Sequence, residues 1–169
     1  SGIKDGSTIL VSGFGGAGMP TELLNALREQ GSSELTIVSN NAGVGKEGIG
    51  GLLLDGRVKK VICSYPRSGG SVVFEEMWAA GKVDLEVVPQ GTLSERIRAA
   101  GAGIGGFYTP TGVGTQLAEG KEVREINGRL QVLEAPLKGD VAFILARQSD
   151  RWGNLVYNKS ARNFGPVMA

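Results

Sequence analysis

Thr8-Ile9-Leu10-Val11-Ser12-Gly13-Phe14-Gly15-Gly16-Ala17-Gly18-Met19-Pro20 decides how the chain is read. Thr8–Ser12 is short, β-branched and bounded by glycine, the pattern of a buried strand. Pro20 then suits the first position of a helix, where its missing N–H costs nothing. That helix is expected to run to about Gln30, with Leu23, Leu24 and Leu27 on one face, and to stop at Gly31. Strand, glycine turn and helix in immediate succession are the opening half of a βαβ unit.

The same alternation continues outward. Strands are predicted at Leu35–Ser39, Val58–Ser64 and Val83–Val88, with one or two helical turns at Ile49–Leu54 and helices at Ser71–Ala80 and Thr92–Ala100. In the third helix Val72, Phe74, Met77 and Trp78 supply the apolar positions, and Thr92–Glu95 resembles a capping box. The expectation is an α/β fold with a mainly parallel sheet and helices on both faces. After Gly101 the period is lost, and Gly101–Thr115 reads as a long ordered loop interrupted by Phe107, Tyr108 and Val113. Glu122–Glu134 reads as a β-hairpin turning at Asn127-Gly128, Asp140–Arg147 as a further buried strand, and Asn154–Tyr157 as a short one. Repeats and linkers are absent from this pattern, so residues 1–169 are expected to form a single domain. The late apolar run Phe164–Ala169 and the early first strand suggest a chain trimmed at both ends.

Composition narrows the chemistry. The 169 residues carry 18 Lys+Arg against 17 Asp+Glu, a net charge of +1 that argues for neither a nucleic-acid nor a membrane partner. Apolar runs such as Ile9–Val11 and Leu52–Leu54 fall far short of the roughly 18 residues of a membrane span. A signal peptide is not expected ahead of the first strand. One Cys excludes an internal disulfide framework and fits a reducing compartment, here read as the cytoplasm. Without a single His, neither Ser-His-Asp nor Cys-His catalysis nor a His-ligated metal is possible, and no metal site is expected. Glycine is the outlier at 28 of 169, about 17% against a typical ~7%. The glycines gather in loops, where backbone takes φ > 0 or approaches a ligand.

Gly13, Gly15 and Gly18, with Gly16 between them, match G-x-G-x-x-G after a strand and before a helix. A dinucleotide site would also place an acid near the end of the second strand, and Val38-Ser39-Asn40-Asn41 has none. A different anion, or simply a tight turn, remains open. Asn40-Asn41 and Gln90 follow strand ends, where ligands bind in open α/β sheets. Their amides can donate to a carbonyl or carboxylate oxygen, or merely cap a turn. Together these loops would put Gly-rich backbone, Asn40 and Gln90 along one sheet edge, polar and neutral, with no evident nucleophile. Glu75, Glu76, Glu95, Glu119 and Glu134 are expected to face solvent, and Cys63, lacking a base, to be a core residue.

Asp5–Pro20 closely resembles the first signature of the class I 3-oxoacid CoA-transferases. Ser39-Asn40-Asn41-Ala42-Gly43, Pro89–Leu93, Gly103–Phe107, Tyr108–Gly112 and Ser160–Phe164 resemble further motifs of that family in the same order. Ser12 departs from it, standing where the signature usually has Gly. The resemblance is to the alpha subunit. Ile62–Arg67 and Asp150–Tyr157 bring it nearer to members acting on 3-oxoadipate than to acetate/acetoacetate or ketone-body variants. It implies a CoA-transferase/phosphosugar-isomerase-like fold and transfer of CoA from succinyl-CoA, with coenzyme A as thioester substrate and no bound cofactor. The nucleophile would be a Glu in a Ser-Glu-Asn-Gly motif of a beta subunit, in an α2β2 or similar assembly. This chain lacks that motif. Its own share, by resemblance, is for Asn40 and Gln90 to orient acyl and carboxylate groups. The Gly103–Phe107 backbone, with Gly105 and Gly106, would contribute to the oxyanion hole. Arg67 is the candidate for a second substrate carboxylate, with surface charge as the alternative, and Arg151 is next. A non-enzymatic anion- or sugar-binding module of the same fold is the reading from another class.

Overall fold

The computed structural model describes residues 2–169. Along the chain run β1 (Thr8–Val11), α1 (Thr21–Gln30), β2 (Leu35–Asn41), α2 (Ile49–Leu54), β3 (Val58–Tyr65), α3 (Val72–Ala79), β4 (Asp84–Val87), α4 (Gln90–Gly101), β5 (Phe107–Thr109), β6 (Val123–Ile126), β7 (Arg129–Glu134), β8 (Val141–Phe143), β9 (Gln148–Ser149), β10 (Leu155–Val156) and α5 (Gly165–Met168). They form two compact units. One is the chain up to Val87 together with everything from Gly139 onward; the other is Val88–Lys138.

The first unit holds the expected parallel sheet, in the order β4-β3-β2-β1-β8. Each βαβ step moves one strand in the same direction, so right-handed crossovers lay α1, α2 and α3 on one face. Ile9, Val11, Ile37, Val61 and Cys63 meet Leu24 and Leu27 of α1, Leu52 and Leu53 of α2 and Phe74 of α3 in one core. Leu10, Val38 and Ile62, on the alternate positions, are buried as well. A parallel sheet buried on both faces needs apolar runs rather than alternation, which is why Ile9–Val11 and Val61–Cys63 are apolar without a break.

Details depart from expectation where packing overrides local pattern. Leu23 of α1 turns outward, leaving Leu24 and Leu27 buried. In α3 the buried pair is Val73 and Phe74, while Val72 and Trp78 are exposed. Pro20 precedes α1 rather than beginning it, and Gly31 ends the helix with φ 90° and its N–H on the Leu27 carbonyl. β2 continues two residues past Ser39, so Asn40 and Asn41 are strand residues and are buried.

In the second unit, α4 starts two residues earlier than its capping-box pattern suggested. Pro89 stands at the cap, Gln90 is the first helical residue, and Thr92 lies buried inside the first turn. The Gly101–Thr115 segment is not all loop. Phe107–Thr109 pairs antiparallel with β7, making a β5-β7-β6 sheet. The hairpin turns at Asn127 and Gly128, with φ 52° and 72°, as a type I′ turn requires. Glu134 does not face solvent. It is 3% exposed, with Lys121 Nζ 2.7 Å from Oε1 and Arg96 Nε 4.0 Å from Oε2. Arg96 Nε also donates to the Ala135 carbonyl at 2.9 Å, and its own carbonyl accepts from Leu137 N–H, fastening α4 to the exit of β7.

Burial pushes the Cys63 thiol up to about 12, overcoming an opposing backbone hydrogen bond at Tyr65. At pH 8 the folded protein should therefore resist iodoacetamide roughly 10³-fold better than a free thiol, and react at the free rate once denatured. Because the folded value lies above the unfolded one, the stability tied to the neutral thiol is complete below about pH 8.5 and is lost between there and about 12. Wild type should lose more stability across that window than Cys63→Ala; equal slopes would contradict the assignment.

Candidate functional site

At the carboxyl end of β1, Phe14 and Ala17 exchange both backbone hydrogen bonds, at 2.9 and 3.1 Å, around Gly15-Gly16. Gly15 takes φ 60° at the first central position, the demand of a II′ turn. The G-x-G-x-x-G stretch is thus a closed miniature hairpin whose Phe14 and Ala17 amides serve each other. α1 begins only at Thr21, after a proline. Ser12, the departure from the family signature, works as a clasp. Its buried Oγ donates to the Gly18 carbonyl at 2.9 Å and accepts from Leu145 N–H at 3.2 Å. Asn163 Nδ2 donates to the Ala17 carbonyl at 2.9 Å. A Cβ on Gly18 would stand 2.6 Å from the Ala161 carbonyl, so the Ser160–Phe164 motif packs where only glycine fits.

The two asparagines ending β2 have different jobs. Asn41 is a loop clasp, since its Nδ2 donates to the Gly15 carbonyl at 3.3 Å and its Oδ1 accepts from Gly43 N–H at 3.0 Å. Asn40 is 2% exposed, and its Oδ1 accepts from Ser64 Oγ at 2.8 Å. Beyond them the loop is held by Ser71 Oγ, donating to the Gly43 carbonyl at 2.9 Å, and by Gly45 N–H on the Gly70 carbonyl. The loops after β1, β2 and β3 are thereby tied together at the strand ends, the usual location of ligands in such sheets. Arg67 lies in the last of these loops, 74% exposed, with Nε 3.7 Å from Glu75 Oε1. Arg151 stacks on Trp152 at 4.4 Å in the β9–β10 hairpin.

Gln90 and Gly103–Phe107 belong to the second unit. Gln90 is exposed at the first position of α4. Gly103, at φ 70°, ends that helix, and Ile104 N–H reaches back to the Ala99 carbonyl at 2.8 Å. Gly106 runs beside β7, where an added Cβ would meet the Glu134 carbonyl at 3.1 Å. Gly105 has neither a positive φ nor a neighbour within 4 Å of an added Cβ. The first turn of α4 and β5 share a cleft of about 260 Å³ lined by Gly91, Thr92, Glu95, Phe107, Thr109 and Thr111.

These residues offer hydrogen-bonding groups and the Arg67 and Arg151 guanidiniums, with no activated nucleophile among the groups described. Cys63 is buried and held neutral, and Glu134 is committed to two cations. Among the described residues no group of three or more His, Cys, Asp or Glu could hold a metal ion. Sequence reasoning marked Ser12 only as a departure from the signature and gave no role to Ser64, Ser71 or Asn163. Each is a small polar residue beside a glycine loop, and only the unusual serine at position 12 offered a signal.

The coenzyme A transferase family pattern matches residues 1–169. The chain is 62% identical over 168 residues to one of the subunits of the 3-oxoadipate CoA-transferase of Pseudomonas putida, covering 99% of this chain and 73% of the relative. It is 60% identical to the corresponding 3-oxoadipate CoA-transferase chain of Acinetobacter baylyi, covering all of this chain and 74% of the relative. Against the alpha chain of the Escherichia coli acetate CoA-transferase it is 46% identical, covering 98% and 74%. Among solved structures, an acyl-CoA transferase of Escherichia coli O157:H7 superposes with TM-score 0.79 at 25% identity; 92% of this chain aligns with 34% of that one. The glutaconate coenzyme A-transferase of Acidaminococcus fermentans superposes with TM-score 0.79 at 20% identity; 98% of this chain aligns with 59% of that one, a likeness of fold. A family match along the whole length, with relatives this similar, means that the chain belongs to the coenzyme A transferase family.

Proposed function

We propose that this chain is the donor half of a two-subunit CoA-transferase, moving CoA from succinyl-CoA to a 3-oxoacid, with 3-oxoadipate as the acid. The observation that carries the reading is the 62% and 60% identity to chains of enzymes named for that acid. It agrees with a site made of donors without a nucleophile. The partner is a beta subunit, in an α2β2 or similar assembly in the cytoplasm.

In this mechanism the thioester carbonyl of succinyl-CoA is attacked by a Glu carboxylate of the beta subunit. The C–S bond breaks, leaving a mixed anhydride and CoA thiolate. The thiolate attacks the glutamyl carbonyl, succinate departs, and a glutamyl-CoA thioester remains. The incoming 3-oxoacid reverses the sequence and leaves as its CoA thioester. Each addition puts negative charge on a carbonyl oxygen, where fixed neutral donors in a dry site are most effective. The Asn40 and Gln90 amides and the backbone N–H groups of Gly103–Phe107, notably at Gly105 and Gly106, are those donors. No bound metal or organic cofactor takes part in these steps.

The amides and the glycine segment can be tested without unfolding the protein. In the complex with its beta subunit, Asn40→Ala and Gln90→Ala should each lower kcat/KM about 10²-fold, roughly 2.7 kcal/mol per donor. Gly105→Ala, unhindered by φ or space, should leave Tm unchanged yet slow turnover if a reacting oxygen approaches that backbone. Normal rates in all three would leave these residues without a part in the transition state.

The choice of acid rests on a second carboxylate that acetoacetate lacks. Arg67, exposed and only loosely paired with Glu75, is the cation proposed to meet it, since a guanidinium matches a carboxylate bidentately. Arg67→Ala should raise KM for 3-oxoadipate about tenfold, near 1.4 kcal/mol, and leave acetoacetate use unchanged. Wild type preferring acetoacetate would favour the acetate-type reading, to which the 46% identical Escherichia coli relative also lends support.

A further inference from the structure

In the Val88–Lys138 unit, the cleft between the first turn of α4 and β5 carries polar groups that the mechanism above leaves unused. α4 begins behind Pro89, and no side chain caps it. Leu93 N–H bonds the Pro89 carbonyl, while the N–H groups of Gly91 and Thr92 ahead of it have no acceptor among the described residues. The Thr92 side chain adds an independent observation. Thr92 is 5% exposed, yet its hydroxyl has no hydrogen-bond partner among the described residues. Nor is that hydroxyl sealed off, since the sealed polar atoms without a partner are Ser39 Oγ and Arg57 Nε. Thr92 lines the cleft, so it is there that its hydroxyl opens. A hydroxyl left unpaired at so buried a position costs stability unless something comes to meet it. Across the cleft, Thr109 Oγ1 accepts from Thr111 N–H at 3.2 Å, which leaves its O–H to donate. Glu95, one turn along α4, adds a carboxylate held by Arg98 Nε at 2.9 and 3.2 Å, and Phe107 adds an apolar wall.

Donors, a carboxylate acceptor and one apolar wall select a ligand by chemistry. A free anion would meet Glu95, and a hydrocarbon would leave Thr92 unpaired. A neutral chain that alternates amides with short apolar segments suits every group: its carbonyl oxygens take the N–H and hydroxyl protons, and its own N–H groups donate to Glu95. At about 260 Å³ the cleft is smaller than the ~300–1,000 Å³ typical of whole-ligand sites, so it fits a segment of a larger molecule. We propose that this cleft is the subsite for the pantetheine arm of the acyl-CoA, whose amides, hydroxyl and geminal dimethyl group have that chemistry. The inference rests on the CoA-transferase reading and adds the surface of this chain that holds the arm of the thioester substrate.

The test is steady-state kinetics of the two-subunit complex with succinyl-CoA and 3-oxoadipate, with Tm recorded for each variant. Once the enzyme carries CoA the arm is already bound. A lost contact to the arm therefore lowers kcat/KM for the thioester that brings it in, and spares kcat/KM for the acid that arrives afterwards. Thr92→Val, which keeps the shape and removes the hydroxyl, should lower kcat/KM for succinyl-CoA about tenfold, with the value for 3-oxoadipate and Tm little changed. Thr92→Ser should keep the wild-type values. Glu95→Ala, at a half-exposed position, makes the same comparison without risk to the core and should show the same selective fall. Succinyl-pantetheine, which lacks the nucleotide, should suffer the same loss as succinyl-CoA. An unchanged kcat/KM for succinyl-CoA in either variant would overturn the subsite. So would an equal fall for 3-oxoadipate, which would assign these groups to the acid, and so would a loss confined to succinyl-CoA and absent with succinyl-pantetheine, which would assign them to the nucleotide. A wild-type complex that turns over neither thioester would overturn the transferase reading and this inference with it.

Discussion

A parallel sheet buried on both faces leaves little but the ends of its strands for chemistry. Ile9, Val11, Ile37 and Val61 point to the helix-covered side and Leu10, Val38 and Ile62 to the other, and all are excluded from water. Polar groups that do work must then collect where β1, β2 and β3 run out. This one constraint explains why Ser12, Asn40, Asn41 and Ser64 are terminal residues of their strands or lie close to those ends. It also explains why they are hydrogen-bonded to one another's loops. A buried amide or hydroxyl without a partner costs about 1–3 kcal/mol, and these residues meet that demand with contacts that also fix the loops.

Glycine content follows from the same crowding. Loops packed against each other at strand ends leave no room for Cβ at Gly18, beside Ala161, or at Gly43, beside Gly50. Gly15 and Gly103 are needed instead for positive φ, one in a two-residue turn and one at a helix exit. Gly105 shows neither a positive φ nor a crowding neighbour.

Much of this was legible in the residues. The β-branched runs of β1, β2 and β3, Gly31 and Asn127-Gly128 each carry a local signal strong enough to survive packing, whereas the expected strand Asp140–Arg147 shrinks to Val141–Phe143 and Pro20 falls just ahead of α1. Asn40 and Gln90 were marked as polar groups following strands. What local pattern could not supply was pairing between distant segments. Phe107–Thr109 becomes a strand only because β7 lies beside it, and Glu134 is buried only because Lys121 and Arg96 come to it. Likewise nothing in Cys63-Ser64-Tyr65 announces that the middle residue will sit against an asparagine twenty-four positions earlier.

On the proposed mechanism the nucleophile comes from the partner, and that is the claim most open to direct measurement. The complex of this chain with its beta subunit is incubated with succinyl-CoA, reduced with borohydride to convert an enzyme-bound thioester to the alcohol, digested, and mapped by mass spectrometry. The account predicts a single modified glutamate, in the beta subunit, with no modified residue in this chain and no CoA transfer when this chain is assayed alone. A modified residue within this chain, or turnover without the partner, would contradict it.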